Sequence, residues 1–471
     1  MASRRSRRTA PGPLAEAEPT APDPSPARHE RGAVVRGLRF STIAYPLNLG
    51  LLFASQVLAA RLLTRSEFGT YSLAVSIFMT GALVMQLGLP HSLLRRASAA
   101  LQRGDAVEAR HEIISAFFAA AVVALLTGAF IASPLGEDLL SSAFPETAVA
   151  AVAVVLGVRT GLKVIENTVP EILRAFREFI RVQVYDGLLT NLVFVAVLLG
   201  ALAAAAHPSV KDVLLMSTLV SAATLVPACL TAAMKLRETK DAGFSFRNPL
   251  EPGMWVVTMG RAVLAQLDLL VVGALGTSRE VALYAAPFRL ALLVGLPLIV
   301  VNQVIPPVIA GWYASGLLPR LERMMRGTAG IAVIAAATLA AILAAFGRPI
   351  LTVLFGHGYG PGWTVLAILA AGQVAQTWTG SCGFALMMTG HQRVYATILV
   401  ISTPLTIGFD VAMYHALGIE GVALATAVSL TVQNVVQMFV VRRVAGFSTL
   451  ADLRAAVGEG RQLLDRVARR T

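Results

Sequence analysis

The chain has 471 residues, of which 56% are hydrophobic and only 14% are charged. Soluble proteins average ~25% charged residues, and a single soluble core stops growing near ~300 residues, so a larger core does not explain the missing charge. The net charge of +12 is typical of a membrane protein whose basic loops contact anionic lipids. No basic stripe is interleaved with aromatic residues, which argues against a nucleic-acid partner. The composition therefore predicts an integral membrane protein.

Twelve hydrophobic segments follow one another along the chain, each of at least about 20 residues, the length that crosses a bilayer. The first six are predicted at Leu38–Leu63, Thr70–Leu89, Ile113–Ser133, Thr147–Val169, Val182–Ala205 and Val213–Met234. The second six are predicted at Met254–Leu275, Val281–Trp312, Thr328–Phe346, Trp363–Thr389, Val394–Leu417 and Ile419–Val441. We therefore expect an all-α, polytopic membrane protein with about 12 transmembrane helices.

The connections between these segments alternate in charge. Counted from a cytoplasmic amino terminus, the inner loops are basic throughout, from Arg95 and Arg96 after the second segment to Arg442 and Arg443 after the twelfth. The outer loops hold few cations and include the acidic stretch 137–146. Because Lys and Arg accumulate on the cytoplasmic side, we predict a multi-pass protein of the cytoplasmic (inner) membrane with both termini in the cytoplasm.

A short internal similarity suggests that the chain consists of two related halves. The stretch from Leu58 to Tyr71 resembles the stretch from Leu270 to Tyr284. Six spans per half give both halves the same orientation, which predicts two parallel six-helix lobes around a central cavity. The expected organisation is a disordered basic cytoplasmic tail (1–36), an N-terminal lobe (37–240), a C-terminal lobe (241–443) and a cytoplasmic C-terminal tail (444–471). Arg4, Arg5, Arg7 and Arg8 in the first tail suit anionic lipid headgroups, although a simply solvated tail explains them equally well.

Once the cations of the loops and span ends are assigned, four remain inside the predicted spans, at Arg159, Lys163, Arg261 and Arg289. Each costs ~2.5–3.5 kcal/mol at the bilayer centre, so each is expected to face a hydrated cavity or a partner. Ion pairing could neutralise Lys163 with Glu166 and Arg261 with Asp268. It leaves Arg159 and Arg289, for which we find no carboxylate at helical spacing in their own spans. We therefore predict that these cations bind an anionic substrate, with Arg suited to bidentate phosphate contact.

Acidic and amide groups form a second set of candidates within the spans. Glu166, Asp268 and Asp410 are the candidates for coupling to a proton or cation, and a packing or capping role is the plainer alternative for Asp410. Amides at Asn302, Gln376 and Asn434 could line a sugar path, although hydrogen bonding between helices is the commoner use of such residues.

Signatures of catalysis and of bound cofactors are missing from the sequence. The glycine-rich stretch Gly356–Gly360 follows no strand, so a dinucleotide site is not expected. No His or Cys pair has metal-ligand spacing, and Cys229 and Cys382 lie in apolar runs. We predict neither an enzyme nor a metal or cofactor site.

Short motifs recur in order from about Arg36 to Arg443. Ala59 to Tyr71 follows the pattern "ar.l....fG.y". Gln86 to Leu89 lies at the end of the second span, and Arg95 follows it. The later motifs are Gln266–Gly273, Tyr284 with Arg289, Leu354–Tyr359 and Gly418–Thr426. Together they resemble the polysaccharide-biosynthesis flippases, which include O-antigen and exopolysaccharide translocases, within the superfamily that contains the multidrug and toxin extruders.

The resemblance implies a transporter that carries a polyprenyl-diphosphate-linked saccharide to the outer leaflet by alternating access. A cation-coupled exporter of small molecules from the same superfamily is the main alternative, and such exporters favour acidic groups in the cavity. A peptidoglycan-precursor flippase usually carries two additional spans, which we do not find. A membrane glycosyltransferase is expected to carry a soluble loop with aspartates, and no loop here is long enough.

Overall fold

The structure is a computed structural model that describes residues 24–239, 246–248 and 252–454. All regular structure within these ranges is helical. Residues 1–23, with the basic cluster predicted to bind lipid headgroups, and residues 455–471 lie outside the described residues. The predicted tail of residues 1–36 is helical from Pro24 onward.

Within residues 24–239, nine α-helices form the part of the protein that we call the N-terminal lobe. They are α1 (Pro24–Leu62), α2 (Arg65–Met85), α3 (Leu89–Gln102), α4 (Ala106–Ala132), α5 (Pro134–Ala143), α6 (Ala153–Ala175), α7 (Phe179–Gln183), α8 (Leu189–Ala203) and α9 (Val210–Arg237). A π-helical turn at Val184–Leu188 joins α7 to α8 and contains Gly187 at φ 104°.

Within residues 252–454, eight α-helices form the C-terminal lobe. They are α10 (Pro252–Leu264), α11 (Leu267–Leu275), α12 (Ser278–Ala291), α13 (Leu296–Ala314), α14 (Leu318–Phe355), α15 (Trp363–Thr379), α16 (Cys382–Met388) and α17 (Gln392–Val444). Short 3₁₀ turns at Leu292–Gly295 and His357–Gly362 connect α12 to α13 and α14 to α15.

The helices of the described residues can be grouped into twelve membrane spans. Eight described segments are long and apolar enough to cross a bilayer, and the pair α10–α11 makes a ninth span bent by 52°. Helix α6 is not apolar enough to be counted with these segments, because it contains several charged residues. Helix α15 is not long enough, because it has only 17 residues. Helix α17 is 53 residues long and breaks only at Gly418 (φ 65°, ψ −141°), so it supplies two spans. The predicted all-α fold of about 12 transmembrane helices is confirmed.

Several span boundaries differ from the prediction because polar turns extend the helices. Helix α2 begins at Arg65 rather than Thr70, since the side chain of Thr64 caps the amide of Glu67 and the Glu67 carboxylate caps Thr64 in return. The fourth span is shifted, from the predicted Thr147–Val169 to α6. Helix α3 was not predicted at all, because it is amphipathic rather than continuously apolar.

The predicted internal repeat has a structural counterpart at the start of the second helix of each lobe. The same capping box opens α2, at Thr64 and Glu67, and α12, at Thr277 and Glu280. Tyr71 and Tyr284 each follow their capping threonine by seven residues.

The two lobes touch most closely where α2 meets α12, at the predicted outer ends of both helices. The hydroxyl groups of Thr70 and Ser278 lie 3.1 Å apart. A Cβ added at Gly69 would overlap the backbone carbonyl of Ser278, so only glycine permits this approach. Beside this contact, Phe68 packs edge-on against Tyr359 with ring centroids 5.8 Å apart. The outer faces of the lobes are therefore closed against each other.

The chain between the lobes is fastened to the N-terminal lobe. The amide of Arg247 donates to Ser115 Oγ at 3.1 Å, and its guanidinium lies 3.0 Å from the Glu108 carboxylate. Arg96 donates to the Asn248 carbonyl at 2.6 Å.

Candidate functional site

Helix α6 is oriented by a pair of glycines four residues apart. Gly157 and Gly161 pack against α4 so closely that a Cβ on Gly161 would lie 2.7 Å from the Ala124 carbonyl. Small residues at this spacing let two membrane helices approach each other. Residue 159 points to the opposite side of a helix with 3.6 residues per turn. The glycine face therefore turns Arg159 away from α4 and toward α2.

Arg159, Lys163 and Glu166 form one ion-paired group on that side of α6. Arg159 Nη1 and Nη2 donate to the two carboxylate oxygens of Glu166 at 3.1 and 3.5 Å, and Lys163 Nζ lies 3.2 Å from Glu166. Their side chains are 7%, 22% and 15% exposed respectively. The prediction that Arg159 has no carboxylate partner in its own span is therefore wrong, because seven residues are two helical turns and both side chains are long. The alternative pairing of Lys163 with Glu166 is formed.

The group nevertheless keeps one net positive charge, since two cations share one carboxylate. The guanidinium of Arg159 stands 4.6 Å from the centroid of the Phe78 ring on α2. Its Nε is buried and has no hydrogen-bond partner in the described part of the chain.

Arg289 approaches the same region from the C-terminal lobe. It lies near the end of α12, with its guanidinium 5.6 Å from the Phe288 ring. It makes no ion pair with any carboxylate in the described ranges, and its Nε is buried without a hydrogen-bond partner. The phenol of Tyr71 lies within electrostatic range of both Arg159 and Arg289. Two arginines, one from each lobe, thus place positive charge within range of the same tyrosine on α2.

Asp268 does not pair with Arg261, so that alternative is not formed. The 52° bend between α10 and α11 separates the two residues and turns them away from a common helical face. Asp268 instead accepts a hydrogen bond from the Tyr284 hydroxyl at 2.9 Å and one from the Leu269 amide at 2.8 Å. It also lies within electrostatic range of Arg289.

Asp410 lies near Asp268, deep in the C-terminal lobe. Its side chain is fully buried, and neither carboxylate oxygen has a hydrogen-bond partner among the described residues. The two carboxyl groups are close enough to interact electrostatically. The Tyr284 hydroxyl, which donates to Asp268, also lies 3.5 Å from Oγ1 of Thr426, a residue of the same helix as Asp410. An ionised carboxyl group without a partner is costly to bury, so this place calls for a proton or a cation.

Arg261 stands apart from these groups and is exposed. It lies beside the Phe384 ring, at 5.9 Å from its centroid. On α3, partial desolvation of the imidazole and the positive charges of Arg174 and Arg261 lower the pKa of His91, a residue that is exposed at the surface of the chain. Arg174 belongs to the N-terminal lobe and Arg261 to the C-terminal lobe, so cations of both lobes act on His91.

The sequence analysis did not assign a role to three aromatic residues that lie near the predicted charged groups. Phe78 lies beside Arg159, Tyr284 donates a hydrogen bond to Asp268, and Tyr71 lies within electrostatic range of Arg159 and Arg289. The matching positions of the two tyrosines after their capping boxes were a usable signal. No sequence pattern pointed to Phe78. Within the described ranges, no three His, Cys, Asp or Glu side chains are arranged to hold a metal ion.

Residues 57–363 match the family described as "Polysaccharide biosynthesis protein". The chain belongs to this family. The predicted family is thereby confirmed. No curated protein matches the sequence.

Solved structures show the same fold at low sequence identity. An inward-facing multidrug resistance MATE family transporter of the MOP superfamily has a TM-score of 0.72 at 15% identity, covering 85% of this chain and 94% of its own. A MOP superfamily transporter from Pyrococcus furiosus, described by the reverse polarity of its binding pocket, has a TM-score of 0.64 at 15% identity, covering 88% and 96%. An outward-facing MATE family transporter reaches 0.59 at 16% identity, also covering 88% and 96%. This member of the polysaccharide biosynthesis family is thus a multi-pass membrane protein with the fold of the MOP superfamily transporters.

Proposed function

We propose that this protein carries a polyprenyl-diphosphate-linked saccharide across the cytoplasmic membrane by alternating access, for the synthesis of a cell-surface polysaccharide. The observation that carries the proposal is that Arg159 and Arg289, which belong to opposite lobes, both lie within electrostatic range of Tyr71. Arg289 has no carboxylate partner in the described chain, and the Arg159 group retains a positive charge. A diphosphate is the part of such a substrate that would compensate both.

The closed outer contact fits the first step of such a cycle. With α2 and α12 held together at Gly69 and Ser278, the proposed substrate enters from the cytoplasmic side. Release outside then requires these outer contacts to separate, including the hydrogen bond that Arg61 Nε donates to the Leu354 carbonyl at 2.8 Å. A membrane potential that is negative inside favours outward movement of an anion by ~2.3 kcal/mol per charge per 100 mV.

The buried acids support coupling of this cycle to a proton or cation. Asp268 and Asp410 interact with each other, and Asp410 has no hydrogen-bond partner among the described residues. Taking up a proton or cation would remove the cost of burying the second charge. Glu166 is a weaker coupling candidate, because Arg159 and Lys163 already neutralise it.

The second candidate is a cation-coupled exporter of small molecules. The Asp268–Asp410 pair and the fold shared with multidrug resistance transporters favour it. The arginines between the lobes favour an anionic cargo instead, because a cationic drug would be repelled by Arg289 and by the Arg159 group.

Deletion of the gene tests the proposal directly. We expect a lipid-linked saccharide to accumulate in the cytoplasmic leaflet, and complementation with Arg289→Gln to leave most of it there. Arg393→Gln, at an exposed site near the start of α17, is the matched control and should restore export. If the deletion strain accumulates no lipid-linked saccharide but becomes sensitive to cationic dyes, the exporter hypothesis is correct instead.

A further inference from the structure

A polar cavity of about 280 Å³ lies inside the C-terminal lobe. Arg261 lines one wall, beside the ring of Phe384. No carboxylate lines it among the described residues, and Arg261 makes no ion pair there. The cavity therefore carries one uncompensated positive charge in the half of the lobe predicted to face the cytoplasm.

Amide side chains form much of the remaining wall of this cavity. They are Asn302, Gln376, Gln433, Asn434 and Gln437. The side chains of Gln376 and Gln433 make no hydrogen bond with the described part of the chain, so their donors and acceptors are available. Tyr395 adds an aromatic face to the same wall. Amides and aromatic faces beside a cation suit a ligand with many hydroxyl groups and a negative charge.

An apolar groove continues from this cavity along the outside of the lobe. It runs between the two halves of α17, has a volume of about 390 Å³ and is lined by side chains such as Ile401, Leu405 and Val432. Leu405 is 67% exposed, as expected for a residue that faces lipid. Gln433 lines both the groove and the cavity, so the two spaces share a rim.

We propose that the C-terminal lobe holds the substrate in two parts at an entry site, before its diphosphate reaches Arg159 and Arg289. The phosphate and first sugar lie on Arg261 and the cavity amides, and the prenyl chain lies in the α17 groove. This proposal rests on the proposed function and adds where each part of the substrate is held. The polar cavity and the apolar groove meet at Gln433. In a lipid-linked saccharide the polar head is likewise joined directly to the apolar tail, so one molecule can occupy both spaces. Because the groove opens to the bilayer, the chain enters it sideways and never leaves an apolar environment.

Binding to the purified full-length protein in nanodiscs tests this assignment. The probes are a long-chain polyprenyl diphosphate, inorganic diphosphate and phosphatidylglycerol. Arg261→Gln should weaken polyprenyl diphosphate binding roughly tenfold or more, as expected for a lost charge-assisted hydrogen bond. Leu405→Trp fills the groove and should weaken binding of the polyprenyl diphosphate while leaving that of inorganic diphosphate unchanged.

Two matched variants control for general damage. Arg393→Gln removes a charge outside the cavity, and Val400→Trp enlarges an exposed residue of α17 that does not line the groove. Both should bind like the wild type. Gln433→Leu at the shared rim provides a third disruptive variant, should either of the first two fold poorly.

The outcomes separate this site from the proposed function. If the wild type binds polyprenyl diphosphate and the cavity and groove variants bind it equally well, the site is wrong and the transport proposal stands. Equally tight binding of phosphatidylglycerol would show that the groove takes bulk lipid, and it would overturn the assignment. If the wild type binds no polyprenyl diphosphate, both the site and the proposed substrate fail.

Discussion

At Gly69 the outer contact between the lobes has no room for a larger side chain. In Gly69→Ala the new Cβ meets the backbone carbonyl of Ser278, which cannot move without moving α12. Such overpacking costs ~1–3 kcal/mol. The cost applies only while α2 and α12 are in contact, so the population with the outer side open should rise by ~5–150-fold.

The matched control is Gly200→Ala in α8, where an added Cβ meets nothing within 4 Å. Both changes replace glycine with alanine in a helix and gain ~1 kcal/mol of helix propensity, so that contribution cancels in the comparison.

The assay is the labelling rate of a cysteine at position 70 by a membrane-impermeant maleimide added from outside. Thr70 is 2% exposed in the closed contact, and Cys229 and Cys382 are first replaced by alanine. Gly69→Ala should raise the labelling rate and Gly200→Ala should not. Equal labelling in the two variants would refute the inference that the α2–α12 contact is the outer gate.

Three further substitutions test the ion-paired group on α6, the buried acid on α17 and the contact between α4 and α6. Glu166→Gln leaves Arg159 and Lys163 without a counter-charge and should destabilise the protein by roughly 3 kcal/mol, measured as a lower melting temperature in detergent. Asp410→Asn should abolish the dependence of transport on a proton or sodium gradient in proteoliposomes, because the amide cannot take up the ion. Gly157→Ala places a Cβ against α4 and should lower the melting temperature and the yield of folded protein, by ~1–3 kcal/mol of stability.

Each of these has a result that would count against it. An unchanged melting temperature for Glu166→Gln would mean that water or lipid already solvates Arg159 and Lys163. Retained gradient dependence in Asp410→Asn would remove Asp410 from the coupling mechanism. For Gly157→Ala, a melting temperature equal to that of Gly200→Ala would show that α4 and α6 can separate at no cost.

The sequence predicted the number and order of the spans because lipid imposes a strong length and polarity constraint on each helix. The incorrect predictions from the sequence concern which pairs of charged residues are in contact. Arg159 and Glu166 are seven apart, as are Arg261 and Asp268, yet only the first pair is in contact. The difference is the 52° bend between α10 and α11, and no residue in that stretch marks it as proline would.

Interactions between distant parts of the chain were equally out of reach. The approach of Arg159 and Arg289 to Tyr71 depends on how two lobes pack, and helical periodicity contains no information about that packing. The cavity around Arg261 likewise combines residues of α10, α13, α15 and α17.

The fastening of residues 247 and 248 to the N-terminal lobe sets a limit on how far the lobes can separate. Asn248 is held by Arg96, and α10 begins at Pro252, four residues later. A fully extended chain covers ~3.3–3.6 Å per residue, so the start of α10 stays within about 14 Å of its anchor. The connection acts as a short tether. While the anchor holds, the predicted cytoplasmic end of the seventh span can swing only by that length, which bounds the size of a headgroup that can pass between α10 and the N-terminal lobe.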